Sequence, residues 1–389
     1  MKRKLLGLVL SVAMVAALAA GCGQKAAESS AAAEAAVESK VEAAVESAVE
    51  SKVEEVVEEV EEVVEEVVEE VVEAADPLAA ELLAAVPEAD YSKFTVGFCG
   101  MTLNNEYHII VANAVKKSCE ALGMGVEVQA GAKHASVEEQ LVILENYINE
   151  GVDGIILVPA ASAGLIAALQ LCQEANIPVI NLDTKLDDAT IEALGQEIPF
   201  YGTDNYVGGQ LVGDMVAGMY PDGCKTAILR GVDGQTNDAD RYNGFLSKCT
   251  KADLVFEQHA DWETDKAYTA IQNCIGANPD LEVIYCENDL MGIGAYQAVE
   301  EAGKAGEIKI FSYDGVTEGL RYVVDGKFEC TCAQQPIEMG KLGVINMCKI
   351  LTGGTAEEYI DTGCKLITSE NAEEALATTT EYAAAINAG

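Results

Sequence analysis

The sequence predicts an α/β fold whose strands form mostly parallel sheets. Beyond Pro87, short apolar runs rich in β-branched residues alternate with amphipathic segments, which is the pattern of repeated strand–helix units. Many amphipathic segments end in a glycine, as helices do when a left-handed residue closes them. The chain has 389 residues and 50% of them are apolar, so it can bury more than one core.

Nine segments have the composition of buried strands. They are 95–99, 126–129, 155–158, 179–182, 226–229, 254–258, 283–286, 308–313 and 328–333. The buried stripe of the first helix is predicted at Val111, Val115, Cys119 and Leu122. Helix C-caps are predicted at Gly123, Gly151, Gly303 and Gly326. So many strands can form one large sheet or two smaller ones, and the distribution of polar residues favours two.

Residues 1–22 have the features of an export signal. Three basic residues precede an apolar run over 5–20, and small residues then lead to Cys22. The run is short for a membrane span. The segment LAAGC over 18–22 resembles a bacterial lipoprotein box, which implies that Cys22 is lipidated, although its leucine lies four residues before the cysteine and not the usual three. An ordinary cleaved secretory signal is the alternative.

Residues 23–86 are predicted to form an acidic spacer rich in Val and Glu. Within it, residues 24–76 carry 18 acidic and 3 basic side chains. Valines recur every four residues from 37 to 57, and this step drifts around a helix of 3.6 residues per turn. The valines therefore do not form a constant seam, and an extended or partly helical spacer is favoured over self-association in a coiled coil.

Composition excludes several functions. A formal net charge of -41 opposes nucleic-acid binding, which needs clustered Lys and Arg. Eleven cysteines besides Cys22, an odd number at core-like positions, indicate buried thiols more than a disulfide framework. No CxxC pair, nucleotide-binding glycine motif or nucleophile–base pair is present, so no metal, cofactor or enzymatic activity is predicted. His134 and His259 have no partner pattern and are predicted to be surface or strand residues.

Polar and aromatic side chains follow several predicted strands at their carboxyl ends, where open parallel sheets bind ligands. They are Asn104, Asn105, Tyr107, His108, Asn181, Asp183, Arg241, Trp262, Glu287, Asn288, Asp289, Asp314 and Gln334. Carboxylates accept hydrogen bonds from pairs of hydroxyl groups, and amides both donate and accept them. A guanidinium can donate two parallel hydrogen bonds, and aromatic rings pack on the C–H faces of a ligand. Such a set suits a sugar.

Most of these positions also have a purely structural interpretation. Asn105 can cap a helix while Tyr107 and His108 pack beneath it. Arg241 can pair with Asp238 or Asp240 on a helix surface, Trp262 can belong to a core, Asp314 can be a turn residue, and Gln335 can replace Gln334 by a one-residue slip.

The chain resembles the ribose- and allose-binding type of bacterial periplasmic solute-binding protein over about residues 93–370. The matching stretches, in order, are TLNNEYH, NIPVINLDTKLD, YGTDNYVGGQLVGD, DRYNGF, ADWE, VIYCENDLMGIGA, FSYDG and CAQQP. The resemblance implies the type I periplasmic-binding fold, with two Rossmann-like lobes joined by three hinge strands. Their implied bounds are 93–203 plus 335–363 for the N-terminal lobe, and 204–334 plus 364–389 for the C-terminal lobe and tail.

The resemblance also implies a function. It places the pocket of the family at nine of the residues above, namely Asn105, Tyr107, His108, Asp183, Arg241, Trp262, Asn288, Asp314 and Gln334. They would line the pocket of a monomeric protein that binds a monosaccharide and delivers it to an ABC permease, with the lipid on Cys22 anchoring it to the outer face of the cell membrane. Tyr107 and His108 replace two phenylalanines of the ribose pattern, and Thr184 replaces an arginine, which argues against ribose itself as the ligand. The stretches NLDTKLD and ADWE are closer to the allose-binding type, which favours a hexose or a close relative. A sensor lipoprotein that reports to a membrane receptor and a surface protein defined by its acidic stalk are the alternatives, whereas the export signal excludes a DNA-binding repressor.

Overall fold

Twelve helices and twelve strands make up residues 77–387, the part of the chain that a computed structural model describes. The predicted export signal, Cys22 and most of the predicted spacer lie outside these residues. Within them, short buried strands alternate with longer helices, as the sequence pattern predicts.

The first sheet has six parallel strands in the order β11-β5-β4-β3-β1-β2. They are β1 (Thr95–Gly100), β2 (Gly125–Ala130), β3 (Gly154–Leu157), β4 (Val179–Leu182), β5 (Phe200–Gly202) and β11 (Tyr359–Asp361). One face packs on α1 (Pro77–Ala85), α2 (Glu106–Ala121) and α11 (Pro336–Leu351). The other packs on α3 (Val137–Glu150), α4 (Ile166–Glu174) and α5 (Asp188–Leu194). This sheet and its helices are the first lobe.

The second sheet also has six strands, in the order β12-β10-β9-β8-β6-β7, and only β12 runs antiparallel to its neighbour. They are β6 (Cys224–Arg230), β7 (Ala252–His259), β8 (Val283–Cys286), β9 (Lys309–Asp314), β10 (Cys330–Ala333) and β12 (Lys365–Thr368). One face packs on α8 (Thr264–Ala277), α9 (Asp289–Glu301), α10 (Thr317–Val324) and α12 (Ala372–Asn387). The other packs on α6 (Asn205–Met219) and α7 (Thr236–Lys248), completing the second lobe.

The predicted fold class is confirmed, because both faces of two largely parallel sheets are covered by helices. The chain crosses from one lobe to the other three times, after β5, after β10 and after β11. Since the carboxyl ends of parallel strands lie at one edge of a sheet, the loops at that edge of each lobe are available to form a shared site.

All nine predicted strands are present, whereas three short ones were not predicted. The unpredicted strands β5 and β11 have three residues each, too few for a period to show in the sequence, and only one of the four residues of β12 is buried, so β12 shows no apolar run. The predicted left-handed glycines are confirmed at Gly123, Gly151, Gly303 and Gly326, whose φ values are 73°, 75°, 68° and 68°. Gly151 is itself the C-cap of its helix, and the other three directly follow the C-cap residue. The predicted stripe of α2 is also buried.

The C-terminal end of the predicted spacer is a helix that packs on the first lobe. Leu82 of α1 is fully buried in the core of that lobe, and Lys341 of α11 forms an ion pair with Glu81. Burial of a leucine side chain stabilises a folded state by about 1.5–3 kcal/mol, so this contact holds the helix in place. Residues 77–85 therefore belong to the folded lobe and not to the spacer, contrary to the predicted boundary at 86.

The eleven cysteines in this part of the chain are free thiols, and ten of them are buried while Cys364 is half-buried. They contribute to the core as small apolar side chains, as predicted. Among residues 77–387, no helix is both long and apolar enough to cross a lipid bilayer. Nor do the described residues contain a group of three or more His, Cys, Asp or Glu side chains that could hold a metal ion.

Candidate ligand-binding site

A small cavity lies between the carboxyl edges of the two sheets. Six of its lining residues come from the first lobe: Met101, Asn105, Tyr107, His108, His134 and Asp183. The other six follow strands of the second sheet: Asn237, Arg241, Trp262, Asn288, Asp314 and Gln334. All twelve lining residues are buried. The site therefore suits a compact ligand held by both lobes.

The structure brings all nine sequence-predicted residues to this one cavity. It adds three residues that the sequence reasoning missed, Met101, His134 and Asn237. Each of them follows a strand, β1, β2 or β6, so the rule that located the others would have found them too. His134 is only 7% exposed, so its prediction as a surface or strand residue is wrong. His259, in contrast, is the last residue of β7.

Asn105 caps helix α2 and also lines the cavity, so both positions that the sequence left open apply to it. Its backbone is the N-cap of α2, and its side-chain Oδ1 accepts a hydrogen bond from the backbone N–H of Tyr107 at 2.9 Å. This bond uses the oxygen and leaves the amide nitrogen facing the cavity, where it lies 3.4 Å from Nε2 of His134. A helix cap thus fixes the orientation of a donor in the site.

Tyr107 connects the two lobes at the base of the cavity. Its hydroxyl donates to Oδ1 of Asp183 at 2.8 Å and lies 3.2 Å from Oε1 of Gln334 in the second lobe. The other carboxylate oxygen of Asp183 accepts from the Thr184 hydroxyl at 3.1 Å. Asp183 has a φ of 64°, and burial raises its pKa. Thr184, which replaces an arginine of the ribose pattern, thus contacts the carboxylate of Asp183.

Arg241 is buried and lies at the centre of the second-lobe wall. Its Nη1 donates to Oδ1 of Asp314 at 3.1 Å and to the backbone oxygen of Glu287 at 2.5 Å, and its Nε donates to Oδ1 of Asn205 at 2.8 Å. The guanidinium carbon lies 3.8 Å from the centre of the Tyr313 ring. Among the described residues no acceptor takes a hydrogen bond from its Nη2. The arginine is therefore rigid and keeps one donor nitrogen for a ligand.

Four interpretations that the sequence left open concern the same wall. Asp238 pairs with Arg230 and not with Arg241, and Arg241 is buried, so the surface interpretation of Arg241 is wrong. Asp314 has a φ of 104° and its side chain lines the cavity. Trp262 lines the cavity and also belongs to the core of the second lobe, as its structural interpretation predicted. Gln334 is the glutamine in the cavity, and its amide donates to Asp314 at 2.7 Å.

The two histidines that line the cavity, His108 and His134, are neutral at physiological pH. Burial lowers the pKa of His108 and of His134 to about 3, and the positive charge of Arg241 adds to the effect at His108. The Nδ1 atom of His108 is buried without a protein partner in the described residues. An unsatisfied buried polar atom costs about 1–3 kcal/mol, so a ligand that pairs with it gains that amount.

Direct hydrogen bonds between the lobes enclose the cavity. The amide of Gln235 in the second lobe donates to the backbone oxygen of Ala160 in the first at 2.7 Å. Beside it, the backbone N–H of Thr236 donates to the Ser162 hydroxyl at 2.9 Å. These bonds lie at the start of α7, the helix that carries Arg241, so the structure is that of a closed two-lobed protein.

The donor and acceptor set fits a small polyhydroxylated molecule. Two carboxylates accept hydroxyl protons, the arginine and the asparagines donate, and neutral imidazoles can do either. The Trp262 ring supplies a flat apolar face for C–H groups. A charged ligand is disfavoured, because Arg241 is already balanced by Asp314.

The fold and the cavity together define a two-lobed solute-binding protein. Residues 96–355 match the family model described as a periplasmic binding protein domain. Because the match covers most of the chain, the chain belongs to this family.

Individual relatives agree with this assignment. The ribose import binding protein of Bacillus subtilis is 29% identical over 269 residues, which cover 69% of this chain and 85% of that protein. The D-allose-binding periplasmic protein of Escherichia coli is 30% identical over 248 residues, 62% of this chain and 80% of that protein. A solved ABC transporter solute-binding protein from Actinobacillus succinogenes with bound D-allose is 31% identical, with a TM-score of 0.69 over 72% of this chain and all of that one. Another, from Agrobacterium vitis with bound D-fucose, is 26% identical with a TM-score of 0.69 over 73% and 99%.

Proposed function

We propose that this chain is an extracytoplasmic, lipid-anchored protein that captures a monosaccharide by closing its lobes and delivers it to an ABC permease. The observation that carries the proposal is the enclosed polar cavity, to which each lobe contributes half of the lining residues. Ligand contacts that are complete only in the closed form shift the population of the protein toward that form. The names of the relatives, which bind ribose, allose or fucose, support a sugar as the ligand.

The nine residues predicted from the sequence are proposed as sugar ligands. Within the proposal, the lobes have the bounds 93–203 plus 335–363 and 204–334 plus 364–389, and the three crossings between them act as the hinge. A hexose or a close relative is favoured, because Tyr107 and His108 add polar atoms to a wall that is apolar in the ribose pattern. Lipidation of Cys22 and a monomeric state complete the proposal.

A thermal-shift screen tests the binding role. The purified full-length protein is heated with ribose, allose, psicose, galactose, xylose or inositol in turn. A ligand that binds only the folded state at about 1,000 times its Kd adds about 4 kcal/mol to the free energy of unfolding, so one sugar is expected to raise the Tm clearly. Mannitol, which is open-chain, serves as the control for non-specific stabilisation by polyols. No rise with any of the six cyclic compounds would contradict the proposal.

The sugar affinity is expected to fall as the pH decreases from 7.5 to 5. Burial raises the pKa of Asp314 to about 6, although Arg241 and Gln334 oppose the shift. Protonation removes an acceptor from the site, so the affinity should fall by up to about tenfold for each pH unit below that pKa. Titration calorimetry at several pH values measures this, and an affinity that is unchanged or higher at pH 5 would refute the role given to Asp314.

Affinity is a better measure here than unfolding, because stability combines opposite effects. The raised pKa of Asp314 means that its contribution to the free energy of unfolding is most favourable below the ordinary aspartate pKa of 3.8 and decreases as the pH rises toward 6. The lowered pKa values of His108 and His134 act in the other direction. Their contribution is present above the ordinary histidine pKa of 6.5 and is lost as the pH falls toward 3.

A further inference from the structure

A second, open groove lies directly outside the candidate sugar cavity. It has a volume of about 370 Å³ and is bordered on one side by the first lobe, including Thr102, Asn104 and Lys133, and on the other by the second lobe, including Glu263 and Asp265. Asn104, Lys133 and Asp265 are exposed, so the groove opens to solvent. Its lining is polar and, like the cavity, can hold hydroxylated groups.

Among the described residues, only His134 and Trp262 line both the cavity and the groove. These two side chains therefore form the partition between the enclosed candidate sugar cavity and a space that continues to the surface. One of them comes from each lobe, so the partition is assembled only when the lobes are closed.

The two halves of the partition are held very differently. The Trp262 indole N–H donates to Oε1 of Gln235 at 2.7 Å, and its ring packs so closely on Gly231 that a Cβ there would lie 1.8 Å from a ring atom. His134 has no comparable anchor in the described residues. Its Nε2 lies 3.4 Å from the amide nitrogen of Asn105, and its ring centre is 5.7 Å from that of His108. Replacing His134 therefore opens the partition without breaking a close contact of the kind that holds Trp262.

We propose that His134 determines the largest ligand that the closed protein accepts. This inference rests on the proposed sugar-binding function. With the imidazole in place, the cavity ends at the first sugar ring and substituted sugars are excluded. Without it, the cavity continues into the polar groove and accepts a sugar that carries a substituent on the hydroxyl facing the partition, such as a methyl glycoside or a mono-O-methyl ether.

The test compares the wild-type full-length protein with the His134→Gly variant. Kd values are measured by calorimetry for the best sugar of the thermal-shift screen and for each of its mono-O-methyl derivatives, the methyl glycosides included. In the wild type every derivative is expected to bind at least about tenfold more weakly than the parent sugar, the usual scale for rejecting one extra carbon. In His134→Gly one derivative should come within about threefold of the parent sugar, because its methyl group enters the groove.

Ala135→Gly is the matched control. It introduces a glycine at the next position of the same loop, on an exposed residue that lines neither space, and should keep the wild-type ratio of affinities. The Kd of each derivative is divided by the Kd of the parent sugar within each protein. A purely structural effect of His134 would weaken the binding of both ligands together and leave this ratio unchanged. If His134→Gly rejects every derivative as strongly as the wild type does, the proposal is wrong.

Fluorescence separates failure of this proposal from failure of the sugar-binding function. Trp262 is the only tryptophan of the chain and is 4% exposed. Removing the imidazole should increase the quenching of its fluorescence by acrylamide, whereas Ala135→Gly should not change it. This measurement needs no sugar. Equal quenching constants in the wild type and His134→Gly would overturn the partition even if a sugar binds. Absence of any sugar binding by the wild type would overturn the proposed function instead.

Discussion

The Arg241→Ala variant is expected to bind its sugar about 2–5 kcal/mol more weakly than the wild type, a loss of about 30-fold to 5,000-fold in affinity. Arg241 is 3% exposed and donates to Asp314, Glu287 and Asn205. Removing the guanidinium takes away Nη2, the donor nitrogen that is available to the ligand. It also leaves the Asp314 carboxylate buried with only the amide of Gln334 as a partner.

Titration calorimetry measures this loss, and Arg321→Ala is the matched control. Arg321 lies on α10 of the same lobe, its side chain is 54% exposed, and it pairs only with Glu318 on the same helix. Its truncation should change the affinity by less than about threefold, because exposed ion pairs contribute little. Arg241→Lys keeps the positive charge but not the planar set of donor nitrogens of the guanidinium, so this variant should also bind the sugar weakly. Near-wild-type affinity in both Arg241 variants would mean that the arginine does not hold the ligand.

The Gly209→Ala variant is expected to lose about 1–3 kcal/mol of stability and to bind sugar less well, because it separates two helices of the second lobe. Gly209 is in α6, and a Cβ at this position would lie 2.3 Å from the backbone oxygen of Arg241 in α7. Neither of these backbone groups can move without the helix that carries it. The added methyl group therefore shifts α7 and the arginine with it.

Gly218→Ala in the same helix should have the opposite effect on stability. A Cβ at Gly218 would meet no atom within 4 Å, and alanine is favoured over glycine inside a helix by about 0.5–1 kcal/mol. Urea unfolding of the wild type and of both variants tests the pair. The interpretation fails if the two substitutions change the free energy of unfolding in the same direction.

The positions of the ligand-site residues could be predicted because one rule of parallel sheets applies at every strand. Asn105, Asp183 and Asp314 each follow a strand, and such positions converge at the carboxyl edge whatever the details of packing. His134 obeys the same rule after β2. It was predicted to lie on the surface because a lone histidine without a partner in the sequence has no local pattern that indicates burial.

The missed strands and the misplaced spacer boundary have a different cause. The strands β5, β11 and β12 exist because neighbouring strands offer unpaired backbone groups, not because three or four residues prefer an extended conformation. Similarly, Leu82 follows an acidic repetitive segment, and only the core of the first lobe makes it part of the fold.

By itself, the sequence determined the fold class, nine of the strands, the buried thiols and the nine polar residues at the edges of the sheets. These features depend on periodicity and on strand ends, which are local properties of the chain. The tertiary structure alone decided which residues meet. The Arg241–Asp314 pair joins residues 73 positions apart, Tyr107 contacts Gln334 over 227 positions, and His134 and Trp262 line one cavity from opposite lobes. Such contacts depend on how two lobes close on each other, which no local pattern of residues encodes.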